Sequence, residues 1–176
     1  DTLIQSIAIL RKMGVFVCLS VIGGEPNPSV ETESSEMARL KEMCERAGLS
    51  DLVTFLGKRG QDTLPYYYSA ADAVVVPSHY ESFGMVALEA MACGAPVVAS
   101  QVGGLAYLVK DGETGFTVPV DDPKALAERL ALLIHDPILR EKLGAQAAQA
   151  AKDYAWENIA DRIMSVYQDL LTSQQV

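Results

Sequence analysis

The chain alternates between runs of helical spacing and short β-rich runs, and this alternation constrains its fold more than any other feature. In residues 2–13, Leu3, Ile7 and Leu10 share one helical face, and Gly14 follows as a C-cap. Residues 15–22 form a β-rich run suited to a buried parallel strand. A loop of Gly, Pro, Asn and Ser over 23–29 leads into a helix near 33–47. The rhythm then repeats as strand 52–56, helix 62–70, strand 73–76, helix 85–93, strand 96–99, helix 105–109 and strand 115–118. Helices over 123–134, 138–151 and 156–171 complete the pattern, with Pro123 and Pro137 at helix starts, where a missing N–H costs nothing. Strands separated by helices of this length predict an α/β fold, a Rossmann-like parallel sheet with helices on both faces and an all-helical C-terminal tail. Ligands of such sheets sit at the carboxyl ends of the strands, so a site is expected among loops 23–29, 57–63, 78–82 and 100–104.

At 176 residues there is room for one full domain and not for two of ordinary size. The net charge of -9 argues against nucleic acid, which attracts basic surfaces, but not against a small phosphate ligand held by backbone amides. No apolar run approaches the roughly 20 residues of a transmembrane segment. Cys18, Cys44 and Cys93 have no CxxC spacing and are expected to be reduced, buried filler in a cytoplasmic protein. The chain opens inside a helical pattern without an initiator Met, a basic region or a cleavage site, and reads as a piece of a longer protein.

The densest chemistry lies between Pro77 and Val98, in a strand, loop, helix, tight turn and strand. Ser82 is placed to cap the helix, which leaves the amides of Gly84, Met85 and Val86 pointing out of its N-terminus as an anion site. Residues 85–93 are apolar or small except for Glu89, which predicts a helix buried all round. A carboxylate in that setting needs partners. Glu89 follows Ser82 by seven residues, nearly two turns, on the same face and about 10 Å along the axis. A nucleotide sugar along this face would set its phosphates at the helix mouth, its ribose near Glu89 and its sugar hydroxyls near Glu81. Taken singly, Glu89 also fits a structural buried carboxylate and Glu81 a solvated loop charge.

The Glu81–Glu89 spacing, Ser82-Phe83-Gly84 and Cys93-Gly94-Ala95-Pro96-Val97 resemble the signature of the family-4 group of retaining glycosyltransferases, whose architecture is GT-B. The resemblance runs along essentially the whole chain, through Val21-Ile22-Gly23-Gly24, Phe55-Leu56-Gly57, Ala71-Asp72, Val102-Gly103-Gly104 and Asp111-Gly112-Glu113-Thr114-Gly115. It implies a nucleotide-sugar-binding C-terminal domain over residues 1–176, truncated at its N-terminal side, whose last helix (156–176) crosses to an absent N-terminal domain. The resemblance gives Glu81 the catalytic place on the donor sugar. Ser82, Phe83, Gly84, Met85 and Val86 would bind donor sugar and phosphate, and Glu89 would bind ribose. Gly23, Gly24, Gly57, Lys58 and Arg59 would lie near the nucleotide, the last two as solvated loop charges. Gly103-Gly104 would open a short helix close to the donor. Family members carry an Arg and a Lys before the helix that begins here at Thr2, and many have Glu where this chain has Tyr107. The first pair falls outside the sequence and the second is replaced.

No Asp-x-Asp motif occurs, and neither a metal nor another cofactor is expected. Asp121 and Asp122 read as helix-start charges, and His79 as either a pocket residue or a loop histidine without a role. The expected partners are a nucleotide sugar, with a uridine nucleotide favoured, and the absent N-terminal domain, through which peripheral membrane contact stays open. The alternative is a non-catalytic nucleotide-binding or scaffold domain.

Overall fold

A computed structural model describes residues 1–24 and 35–173. Helix α1 spans Thr2–Lys12, β1 Leu19–Ile22, α2 Ser35–Arg46, β2 Val53–Gly57, α3 Leu64–Ala70, β3 Val74–Val76 and α4 Met85–Ala92. Strand β4 spans Val97–Ser100, α5 Leu105–Leu108, β5 Gly115–Val118, α6 Pro123–His135 and α7 Pro137–Ala151. A 3₁₀ turn over Lys152–Tyr154 then leads into α8, Trp156–Ser173. Most of the loop expected over 23–29 lies outside the described residues.

The parallel α/β architecture is present, divided between two ladders. Strands β1 and β2 form one parallel pair, with Leu19 beside Val53 and Val21 beside Phe55. Strands β3, β4 and β5 form the other in that order, with Val75, Val98 and Phe116 in register. Side chains alternate across this second sheet, as a pleated strand requires. Val98, Phe116 and Val118 join Ile4, Leu10 and Leu126 on the α1/α6 face. Val97 and Ala99 join Ala90, Met91 and Leu105 on the opposite face. Val53 of β2 shares the first cluster, so apolar side chains connect the two ladders.

Local chemistry sets several boundaries. Pro123 and Pro137 stand in the first turns of α6 and α7. Asp122 and Asp136 cap these helices by accepting from the amides of Ala125 and Leu139, both at 2.9 Å. Arg140 donates to the carbonyls of Leu133 and Ile134 at 2.6 and 3.0 Å, satisfying the end of α6 from within α7.

Three expectations change. The run 15–22 is strand only from Leu19, where pairing with β2 begins; before it Val15 is buried while Phe16 is 78% exposed, and among the described residues no strand pairs with 15–18. Helix α4 is not enclosed all round: Ala87, Ala90 and Met91 are buried, whereas Met85 and Val86 are exposed in its first turn. Of the cysteines, Cys44 is buried and Cys93 half-buried, but Cys18 is exposed rather than core filler. Among the described residues, no helix is long and apolar enough to cross a membrane. Helix α8 has no buried residue, and Ile163, Met164, Tyr167, Leu170 and Leu171 stand exposed along it.

Candidate functional site

Strand β3 delivers the chain into the segment 77–84, which turns into α4 at Gly84. Gly84 has φ 103° and ψ 50°, a left-handed conformation that costs a glycine little. An added Cβ would also lie 2.6 Å from Leu105 Cδ2, so space and backbone both demand glycine. This turn corrects the expected cap: α4 starts at Met85, Ser82 lies outside it, and no side chain caps the helix. The first helical bond runs from the Leu88 amide to the Gly84 carbonyl, 3.0 Å. The amides of Gly84, Met85, Val86 and Ala87 therefore precede any intrahelical acceptor, and the helix dipole makes this end attractive to an anion.

The backbone of the loop before α4 is clamped. The Gly104 amide donates to the Glu81 carbonyl at 2.9 Å. A Cβ on Gly104 would stand 2.5 Å from both Phe83 Cα and the Ser82 carbonyl, and one on Gly103 would strike the Glu81 carbonyl. Gly104 also starts α5, so the glycine pair both opens that helix, as expected, and holds residues 81–83 against it. The Phe83 ring meets Tyr154 edge-on, with centroids 5.7 Å apart. Glu81 itself is half-buried.

Glu89, one turn past the start of α4, is also half-buried. Its Oε2 accepts a 2.9 Å hydrogen bond from the Tyr68 hydroxyl. Tyr68 is only 8% exposed, and burial together with the neighbouring carboxylate pushes its hydroxyl well above the usual tyrosine range. It therefore remains a neutral donor throughout the ordinary pH range.

On the other ladder, the Gly23 amide donates to the Gly57 carbonyl at 3.1 Å, which joins the carboxyl ends of β1 and β2. Gly24 and Lys58 are exposed. Arg59 departs from the expected solvated charge: its Nε donates to the Tyr67 hydroxyl at 3.1 Å. Consecutive tyrosines on α3 thus hold Arg59, after β2, and Glu89, on α4. The glycines at 23, 24 and 57 and the segment 81–89 come from different ladders, and α3 links the two groups. His79 Nε2 lies 3.2 Å from Asp121 Oδ1, an oxygen that also accepts from the Thr2 hydroxyl at 3.2 Å. Asp121 has φ 56°, uncommon for a residue with a Cβ. The helix-start reading holds for Asp122, whereas Asp121 instead bridges the start of α1 and the loop after β3.

Residues 1–150 match the model of the family described as Glycosyl transferases group 1. The chain belongs to this family. Its kinship within the group 1 glycosyl transferases is visible in both sequence and structure. A D-inositol 3-phosphate glycosyltransferase of Acidothermus cellulolyticus is 42% identical over 155 residues, covering 88% of this chain and 34% of the relative. Sucrose-phosphate synthase from Thermosynechococcus elongatus matches with a TM-score of 0.81 at 36% identity, covering 98% of this chain and 43% of that one. HepE of Anabaena, solved in complex with UDP, matches with a TM-score of 0.77 at 28% identity, covering 93% and 44% of the two chains. This group 1 chain thus spans between about a third and under a half of these relatives.

Sequence reasoning passes over Tyr68. The available signal is helical phase: in the Tyr66-Tyr67-Tyr68 run only the third faces inward, and Tyr66 is exposed. That phase could have marked a buried hydroxyl in need of an acceptor, but not that the acceptor would be Glu89.

Proposed function

We propose that this chain is the nucleotide-sugar-binding C-terminal domain of a retaining glycosyltransferase. The full-length enzyme moves a hexosyl group from a nucleoside diphosphate sugar, with UDP-sugar favoured, to an acceptor. The observation that carries this reading is the arrangement on α4: amides at its mouth that no side-chain cap takes up among the described residues and, further along, a Glu89 carboxylate braced by Tyr68. The diphosphate sits on the amides of residues 84–86, where fixed dipoles stabilise leaving-group charge without a metal. Glu89 accepts from the ribose, and Glu81, on its clamped loop, addresses the transferred sugar. Ser82 and Phe83 flank that sugar, while Gly23, Gly24, Gly57, Lys58 and Arg59 lie on the nucleoside side.

The uridine preference draws support from HepE, because that relative was solved in complex with UDP. The inositol phosphate glycosyltransferase relative makes a phosphorylated polyol the first acceptor to try. Helix α8 carries an exposed apolar stripe at Ile163, Met164, Tyr167, Leu170 and Leu171, spaced for a helix that lies against another surface. In this reading the N-terminal domain supplies that surface together with the acceptor site.

Two measurements test the proposal. Titration of this chain with UDP and GDP by calorimetry should give saturable heat with at least UDP; silence from both would favour the scaffold alternative. In the full-length enzyme, Glu81→Gln and Glu89→Gln should each lower donor turnover by roughly tenfold or more, the scale of a lost charged hydrogen bond. Unchanged turnover in both would overturn the assignment.

A further inference from the structure

We infer that Tyr68 is a positioning residue that fixes how Glu89 reads a nucleotide, making recognition depend unequally on the two ribose hydroxyls. This rests on the nucleotide reading above and deepens it. The Tyr68 ring is held in the second apolar cluster with Ala87, Ala90 and Met91, so its hydroxyl has little freedom to move. A hydroxyl at such a position needs an acceptor, and it finds Glu89 Oε2 at 2.9 Å. A hydrogen bond to an ionised oxygen is of the strong, charge-assisted kind.

The bond does two things. A glutamate left free samples several staggered arrangements, and anchoring one oxygen selects among them before any ligand arrives. It also occupies part of the carboxylate's accepting capacity. Among the described residues, no hydrogen-bond donor is recorded at Oε1, so this oxygen is the open acceptor. A vicinal diol approaching two free oxygens could bond both equally. Approaching a carboxylate with Oε2 engaged, it places one hydroxyl on Oε1 and leaves the other to a weaker contact. The ligand class this selects is a ribonucleotide with one hydroxyl read strongly.

The probes are UDP, 2′-deoxy-UDP and 3′-deoxy-UDP, titrated against the wild-type chain, Tyr68→Phe and Glu89→Gln. In the wild type, loss of one particular ribose hydroxyl should weaken binding roughly tenfold more than loss of the other. In Tyr68→Phe, UDP should bind several-fold more weakly and that difference should shrink towards equality. If Tyr68→Phe lowers Tm but preserves the wild-type ratio, Tyr68 is merely structural and the inference fails. If Glu89→Gln leaves UDP affinity unchanged, or UDP does not bind at all, the nucleotide reading itself falls. A measurement on the wild-type chain guards against a misfolded variant: carbon-13 NMR of the Glu89 carboxyl and the Tyr68 Cζ during UDP titration. Both resonances should shift along the same saturation curve, and a Tyr68 signal that stays still while Glu89 moves would overturn the positioning role.

Discussion

The Gly104 amide and the Glu81 carbonyl meet at 2.9 Å, joining the loop after β4 to the loop before α4 through main chain alone. Gly104→Ala should therefore cost stability and binding together. Its new Cβ, 2.5 Å from Phe83 Cα and the Ser82 carbonyl, meets backbone that cannot rotate away. A loss of about 1–3 kcal/mol is expected in urea unfolding, with weaker UDP binding by calorimetry. Gly60→Ala is the control, because the new methyl there meets only the carboxylate end of Asp62, which can swing aside.

Tyr68 makes stability depend on pH at the alkaline end. Its hydroxyl is pushed up in the folded chain, while an unfolded tyrosine titrates near about 10. Above that pH the unfolded chain has released a proton that the folded chain retains, so the slope of unfolding free energy against pH is negative. The contribution is complete below about pH 10 and declines above it. Urea midpoints at pH 9 and pH 11 should fall more steeply for the wild type than for Tyr68→Phe, and parallel declines would refute this assignment.

The thiols should separate by reactivity. Cys44 is buried, and burial raises its thiol above the ordinary range, so little nucleophilic thiolate is present. Cys18 is exposed. Brief alkylation followed by peptide mass spectrometry should label Cys18 first and leave Cys44 nearly untouched until the chain is denatured.

Helix α8 should exchange its amide hydrogens faster than β4 and α4. None of its residues is buried, whereas all four residues of β4 are. Local opening is easiest where few apolar contacts must be broken. Protection over residues 160–173 equal to that of 97–100 would contradict the structure.

The parts of the fold legible in the sequence are those governed by local rules. Strand β4 reads as a continuous apolar run, and Asp122-Pro123 and Asp136-Pro137 announce α6 and α7 by capping chemistry. The family signature marks Glu81, Glu89 and the glycine pair, and the structure adds what the pair does sterically. The illegible parts depend on contacts across long sequence separations. Ser82 has the right chemistry for a cap, yet a left-handed Gly84 wedged against Leu105 moves the helix start. The Tyr68–Glu89 bond requires α3 to be docked on α4 before the pair can be recognised. Phe16 and Cys18 look like strand interior until the pairing pattern shows that β1 begins later.

Among the described residues the two ladders share a core without sharing a strand pairing, and side chains such as Val53, Val98 and Phe116 carry the contact between them. Apolar contact of this kind weakens on cooling, when apolar hydration becomes less costly.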